Sequence, residues 1–175
     1  MSSRIQRALE KLGQQNLDGL LVSLASNISY LTHYPSRDSY LLICPKKNIY
    51  FTDSRYTQEA KGALKGVACI HKINGSVFKS IAEACLELGL SRIGFEERYL
   101  AYAEHQKIQE HLRNKARLVG IHSLVESLRQ IKEPQELQKI SKALQITAKA
   151  LEFAQNIIRP GLKEIEVAGE LERFI

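Results

Sequence analysis

Five histidines, His33, His71, His105, His111 and His122, are the first residues to test for metal or proton chemistry. His105 and His111 fall within one helical stretch. Six positions of an α-helix turn a side chain through about 240°, so the two cannot share an ion as an i, i+4 pair could. No His-Glu-x-x-His, Cys-x-x-Cys or Asp-x-Asp spacing occurs, and the ten glycines are dispersed rather than gathered into a phosphate loop. No Gly-x-Ser-x-Gly elbow presents a nucleophile. The residue types therefore name no catalytic group and no metal ligand within the chain.

Two segments are nevertheless dense in groups that hold ligands. Residues 27–40, NISYLTHYPSRDSY, combine hydroxyls, aromatic rings, Arg37 and Asp38 between two apolar runs. Loops of that kind face ligands on many scaffolds. The plainer reading is a surface loop turned by Pro35, Ser36 and Asp38. Residues 51–60, FTDSRYTQEA, set Asp53 and Arg55 at a strand-to-helix junction, where they could grip a polar ligand. The plainer reading makes Thr52 or Asp53 a helix N-cap and Arg55 the anchor of an internal ion pair.

The elements that must position these segments follow from two periodicities. Residues 3–15 read as an amphipathic helix with Ile5, Ala8, Leu9 and Leu12 on one face. GLLVS is a short, continuous apolar run, as expected of a buried strand. YLLIC and NIYFT, separated by Pro45-Lys46-Lys47-Asn48, read as a hairpin. A short helix to Ala63, a strand at VACIHKI and a helix over 76–88 closed by Gly89 follow. A strand at RIGFE, a helix over 99–113 and a strand at ARLVG complete the first 130 residues. SNISYLTHYPSRD reads as a polar-aromatic loop with one helical turn at most. The sum is an α/β fold: a mixed, roughly six-stranded sheet flanked by helices. Pro134 then opens an uninterrupted helix to Ile158. Leu137, Leu144, Leu151 and Ile158 recur every seven residues, and Ile146, Phe153 and Ile157 widen that face beyond a coiled-coil seam. After Arg159-Pro160-Gly161 a second helix, with Glu164 and Glu166 in its first turn, runs to Ile175 without a closing signal. Both helices expose apolar faces fit for association with the sheet domain or with another chain.

Composition bounds the partners. The chain has 175 residues, 44% hydrophobic and 25% charged, with no apolar run long enough for a membrane span. The N-terminus lacks a signal-like core, so a cytoplasmic setting is the default. Cys44, Cys69 and Cys85 are odd in number, widely spaced and set among apolar residues, and read as reduced core thiols. From Pro134 onward six basic and six acidic residues balance, so the whole excess of +6 lies in residues 1–133. Those cations are scattered, with Lys46-Lys47 and a loose Arg113-x-Lys115-x-Arg117 run the densest. A solvated surface, rather than a nucleic-acid partner, is expected.

Asn27-Ile28-Ser29-Tyr30-Leu31-Thr32 resembles the Asn-Ile-x-Tyr-Leu-Thr signature in the N-terminal domain of Xaa-Pro aminopeptidases, prolidases and creatinase. Phe51-Thr52-Asp53-Ser54-Arg55-Tyr56 is similar to that domain's Phe-Thr-Asp-Gly-Arg-Tyr, with Ser54 in place of the usual Gly. Ile93-Gly94-Phe95-Glu96 resembles a later strand. Leu128-Arg129-x-Ile131-Lys132-x-Pro134-x-Glu136 resembles the junction where the family's catalytic domain begins, and Ile158-x-Pro160-Gly161-x-x-Glu164-x-Glu166 the first two helices beyond it. The motifs keep their order across the whole chain.

The resemblance implies residues 1–131 as a creatinase/prolidase-type domain. It implies residues 132–175 as the opening helices of a pita-bread metallopeptidase domain whose remainder lies outside the chain. In that family two divalent metals (Mn, Co or Zn) activate a bridging water for hydrolysis of the bond before proline. Their two Asp, one His and two Glu ligands would all lie beyond residue 175, so the chain by itself is expected to be inactive. The domain would serve a homodimer or higher homo-oligomer. Its loop His33-Tyr34-Pro35-Ser36-Arg37-Asp38-Ser39 would reach the substrate, a peptide with proline at its second position, in a neighbouring subunit. Tyr34 would pack on the proline-like ring and Arg37 would pair with a carboxylate, beside His33 and Asp38. Asn27, Tyr30, Asp53, Arg55 and Tyr56 would be the structural motif. Creatinase-type C–N hydrolysis and a non-catalytic protein-binding module remain open alternatives. A ribonuclease H-like nuclease would need carboxylates on its strands, and GLLVS has none.

Overall fold

The computed structural model describes residues 3–175. They fall into two compact units, the first ending at Gln130 and the second spanning Ile131–Ile175. The first unit contains α1 (Ser3–Gln14), β1 (Gly19–Val22), α2 (Ala25–Thr32), β2 (Tyr40–Ile43), β3 (Ile49–Thr52), α3 (Thr57–Ala63) and β4 (Cys69–Lys72). It continues with α4 (Val77–Glu87), β5 (Arg92–Glu96), α5 (Tyr102–Leu112), β6 (Arg117–Ile121) and α6 (Leu124–Gln130). The second unit contains α7 (Pro134–Ile157) and α8 (Glu164–Phe174).

The six strands form one mixed sheet in the order β4-β3-β2-β1-β5-β6. Strand β2 runs antiparallel to both neighbours, Leu21 opposite Leu42 and Leu41 opposite Tyr50, while the other pairings are parallel. The apolar runs read as strands because both faces are covered. Leu20 and Val22 join Ile5, Ala8 and Leu12 of α1, Ile28 and Leu31 of α2, and Leu124, Val125 and Leu128 of α6. Leu21 alternates to the other face, with Leu42, Phe51 and Ile93, against Ile81 and Cys85 of α4 and Ile108 and Leu112 of α5. Each fully buried side chain of this kind contributes about 1.5–3 kcal/mol. The two sheet edges differ. On β6 the Gln109 amide mimics a strand: its Nε2 donates to the Ala116 carbonyl and its Oε1 accepts from the Leu118 amide, both at 3.1 Å. The β4 edge is mostly exposed.

Four local readings need correction. Residues 25–32 are a helix, not a loop with one turn. Asp53 does not cap α3, whose N-cap is Tyr56 without a side-chain bond. The Asp53 side chain turns back to the Arg55 amide instead, at 2.8 Å. Helix α5 starts at Tyr102, three residues late, because the amides of Tyr99 and Leu100 first close a turn on the Glu96 carbonyl. Cys44 and Cys85 are buried, but Cys69 is exposed on the edge strand. In the second unit the Glu136 and Glu166 carboxylates accept from the amides of Glu133 and Lys163 at the starts of α7 and α8, which satisfies helix-end donors. Gly161 takes the turn between them at φ 96°. The Phe153 and Phe174 rings stack with centroids 4.5 Å apart. Leu137, Leu144, Leu151 and Ile158 stay 55–64% exposed.

Candidate functional site

The signature residues 27–32 build a joint, not a binding face. Strand β1 ends at Val22 and its parallel neighbour β5 at Glu96, so the carboxyl ends of both strands meet the start of α2. There Glu96, 6% exposed, takes the amides of Ser23 and Leu24 on Oε2, at 2.7 and 2.8 Å. Asn27 Nδ2 donates to Glu96 Oε1 at 2.6 Å and to Glu126 Oε1 at 2.8 Å, and Asn27 Oδ1 accepts from Arg129 at 2.7 Å. One asparagine thus ties β5, α2 and α6 together. Burial raises the Glu96 carboxyl above its ordinary value, the bonds from Asn27, Leu24 and Ser23 pull it back in part, and the Glu126 charge raises it further. Tyr30 donates its hydroxyl to the Leu128 carbonyl at 3.2 Å, and the Arg4 guanidinium lies 4.2 Å over its ring. Ile28 and Leu31 are fully buried, and the Thr32 hydroxyl folds back on the Ile28 carbonyl.

The two ligand-like segments come together in space. After α2, His33 takes a left-handed conformation at φ 57° and its amide closes the helix on the Ser29 carbonyl. The loop is then braced from within: Ser36 donates its amide to Ser29 Oγ at 2.9 Å, and the Ser36 and Ser39 hydroxyls hydrogen-bond to each other. Asp38, at φ 42°, reaches Arg55, whose guanidinium donates to Asp38 Oδ2 at 3.0 Å and to Asp53 Oδ2 at 2.6 Å. The hydrogen bonds from Arg55 hold the Asp53 carboxyl below its usual range. Arg55 also lies 5.1 Å over the Tyr56 ring, so the plainer reading of Arg55 as an internal anchor is the one the geometry contains. The loop hangs on an Asp38–Arg55–Asp53 bridge that spans 17 residues of sequence.

The loop's own candidates divide. His33 and Arg37 are exposed, and neither side chain has a hydrogen-bond or ion-pair partner among the described residues. Tyr34 points the other way. It is 6% exposed, with its ring edge-on to Tyr50 at 6.0 Å, and burial followed by the nearby Glu59 charge raises its phenol. The ring expected to meet a proline is occupied by the core, because Tyr34 fills the space beneath the loop. Asp38 is engaged by Arg55. The arrangement can present a cation and an imidazole to a ligand, on a loop whose ends are fixed. Among the described residues no group of three or more His, Cys, Asp or Glu is placed to hold a metal. Glu126 is a partner of Asn27 that the sequence does not signal, since 99 positions separate the two.

Residues 4–131 match the creatinase/prolidase N-terminal domain family. An uncharacterized peptidase of Bacillus subtilis is 32% identical over 171 residues, which are 95% of this chain and 48% of that protein. A Xaa-Pro dipeptidase from Bacillus anthracis superposes with a TM-score of 0.87 at 31% identity, over 98% of this chain and 47% of that one. A Xaa-Pro aminopeptidase structure from Streptococcus pyogenes, 29% identical with a TM-score of 0.65, covers 71% of this chain and 94% of its own. The chain therefore spans about half the length of the curated relatives it matches. No helix among the described residues is long and apolar enough to cross a membrane. With its signature residues placed in the joint between β1, β5, α2 and α6, and its sequence matched from residue 4 to 131, the chain belongs to the creatinase/prolidase N-terminal domain family.

Proposed function

We propose that this chain is the N-terminal accessory portion of a Xaa-Pro peptidase, serving oligomerisation and the shaping of the active site. What supports this most is the likeness over 98% of the chain to a dipeptidase about twice as long. Residues 1–131 are then the accessory domain, and 132–175 the first helices of the catalytic one. The division of the chain after Gln130 and the end of the family match at 131 support that boundary. The apolar face of α7, exposed at Leu137, Leu144 and Leu151, suits a helix packed by further chain. The two divalent metals of the parent enzyme do not fit the described residues, which hold no candidate ligand cluster, so no catalytic step is assigned to them. A cytoplasmic setting and a proline-containing peptide substrate belong to the same proposal.

In the assembled parent, loop 33–39 contributes to the substrate site of a neighbouring subunit. Arg37 pairs with a substrate carboxylate, His33 lies beside it, and Asp38 holds the loop through Arg55. Tyr34 supports the loop from below. Loss of one charge-assisted contact costs about 1.5–3 kcal/mol, about tenfold or more in kcat/KM. Arg37→Ala in the parent enzyme is therefore expected to lower kcat/KM for an X-Pro peptide by that factor, while Tyr34→Phe, which keeps the buried ring, leaves it unchanged. Unaltered kinetics in Arg37→Ala would remove the loop from the site.

A further inference from the structure

At the amino ends of β5 and β6, far along the strands from the Glu96 joint, the surface sinks into an open dent of about 340 Å³. Its lining includes Arg92, Lys115 and Arg117 with Gln109 and Asn114, and no carboxylate. Arg92 and Arg117 are register partners on adjacent parallel strands, so their side chains leave the same face about 4.8 Å apart at the backbone. Like charges set side by side on a sheet destabilise it. One acid lies nearby outside the lining: Asp18 accepts the amides of Ser91 and Arg92, both at 2.8 Å. Arg92 Nε donates to the Asn16 carbonyl at 2.9 Å, which orients the guanidinium and leaves its other donors available. Neither Lys115 nor Arg117 has a hydrogen-bond or ion-pair partner for its side chain among the described residues. The rim is also strained, since Arg113 and Asn114 are consecutive non-glycine residues at φ 49° and 59°.

Three cations, one of them oriented, border one concave space that repels itself when empty of charge. The geometry points to a binding site for a phosphate group, as the free ion or as a phosphomonoester. A dianion balances this charge better than a single carboxylate does, and arginine forks match phosphate oxygens in pairs. The cations do not form a stripe that could track a polymer backbone.

The test is a ¹H–¹⁵N correlation titration of the 175-residue chain with inorganic phosphate, with acetate and a nucleoside monophosphate as parallel arms at constant ionic strength. Phosphate is expected to give saturable shifts confined to the amides around Ser91–Arg92 and Asn114–Arg117, and acetate none that saturate. Tighter saturation by the nucleotide identifies an ester as the ligand, and equal saturation the free ion. Lys115→Gln with Arg117→Gln, both exposed and so not needed for folding, weakens the apparent Kd by about tenfold or more. Shifts that stay linear and spread over the whole surface, equal saturation by acetate, or undiminished binding in the double variant overturn the assignment.

Discussion

Asn27 and Glu96 carry more of this structure than their small number of atoms suggests. A buried carboxylate costs free energy unless its oxygens are supplied with donors, and here two backbone amides, the Ser23 hydroxyl and one asparagine supply them. Asn27→Ala removes the donor shared by Glu96 and Glu126 and leaves two carboxylates facing each other. The expected loss is about 3 kcal/mol in urea denaturation. A change within about 0.5 kcal/mol, the scale of an ordinary surface substitution, would contradict the account. Glu96→Gln can keep its oxygen for the amides of Ser23 and Leu24 but then sets its NH2 against the Asn27 NH2, and is expected to cost about 1–3 kcal/mol. Its pH dependence has a definite sign. The folded carboxyl titrates above the unfolded one, so this linkage stabilises fully below the ordinary carboxylate range and is lost as pH rises through the raised value. The stability gap between the parent chain and Glu96→Gln therefore narrows as pH increases across that window; a widening gap would mean that the bonds outweigh the burial. The signature's residues were legible as a structural motif, but the partners they join were not. A hydrogen bond across 69 positions leaves no periodic trace in sequence.

Elements differed in how much of them could be read. The strands were plain because β1, β2 and β3 are buried on both faces and so appear as unbroken apolar runs. Helix α2 was obscured. Its Ser, Asn and Thr residues are weak helix formers, eight residues are too few for a clear stripe, and it persists through tertiary bonds at Asn27 and Tyr30. Helix α6 was obscured by its length: Leu124, Val125 and Leu128 have helical spacing, but seven residues give too few turns for a clear stripe. The loop 33–39 was legible as unusual, whereas its tether through Asp38 and Arg55 required the fold. Strand packing also sets a limit on β5. A Cβ at Gly94 would overlap the Ile121 Cδ1 methyl and come within 3.3 Å of Leu17 Cδ1. Gly94→Ala should lower stability by about 1–3 kcal/mol, read as a fall in denaturation midpoint at constant m-value. An unchanged midpoint would mean that Leu17 and β6 yield more than close packing allows.

The whole molecule combines a three-layer accessory fold with two further helices. Its polar groups serve a joint and a braced loop, and its cations border a dent remote from both. Among the described residues no group of three or more His, Cys, Asp or Glu is placed to hold a metal. The proposed function places hydrolysis in the parent polypeptide and positioning in this portion of it. The measurement that bears on this most directly is cleavage of an X-Pro peptide by the 175-residue chain in the presence of Mn²⁺, beside the parent enzyme under the same conditions. The account predicts turnover by the parent alone; metal-dependent cleavage by the 175-residue chain would contradict it.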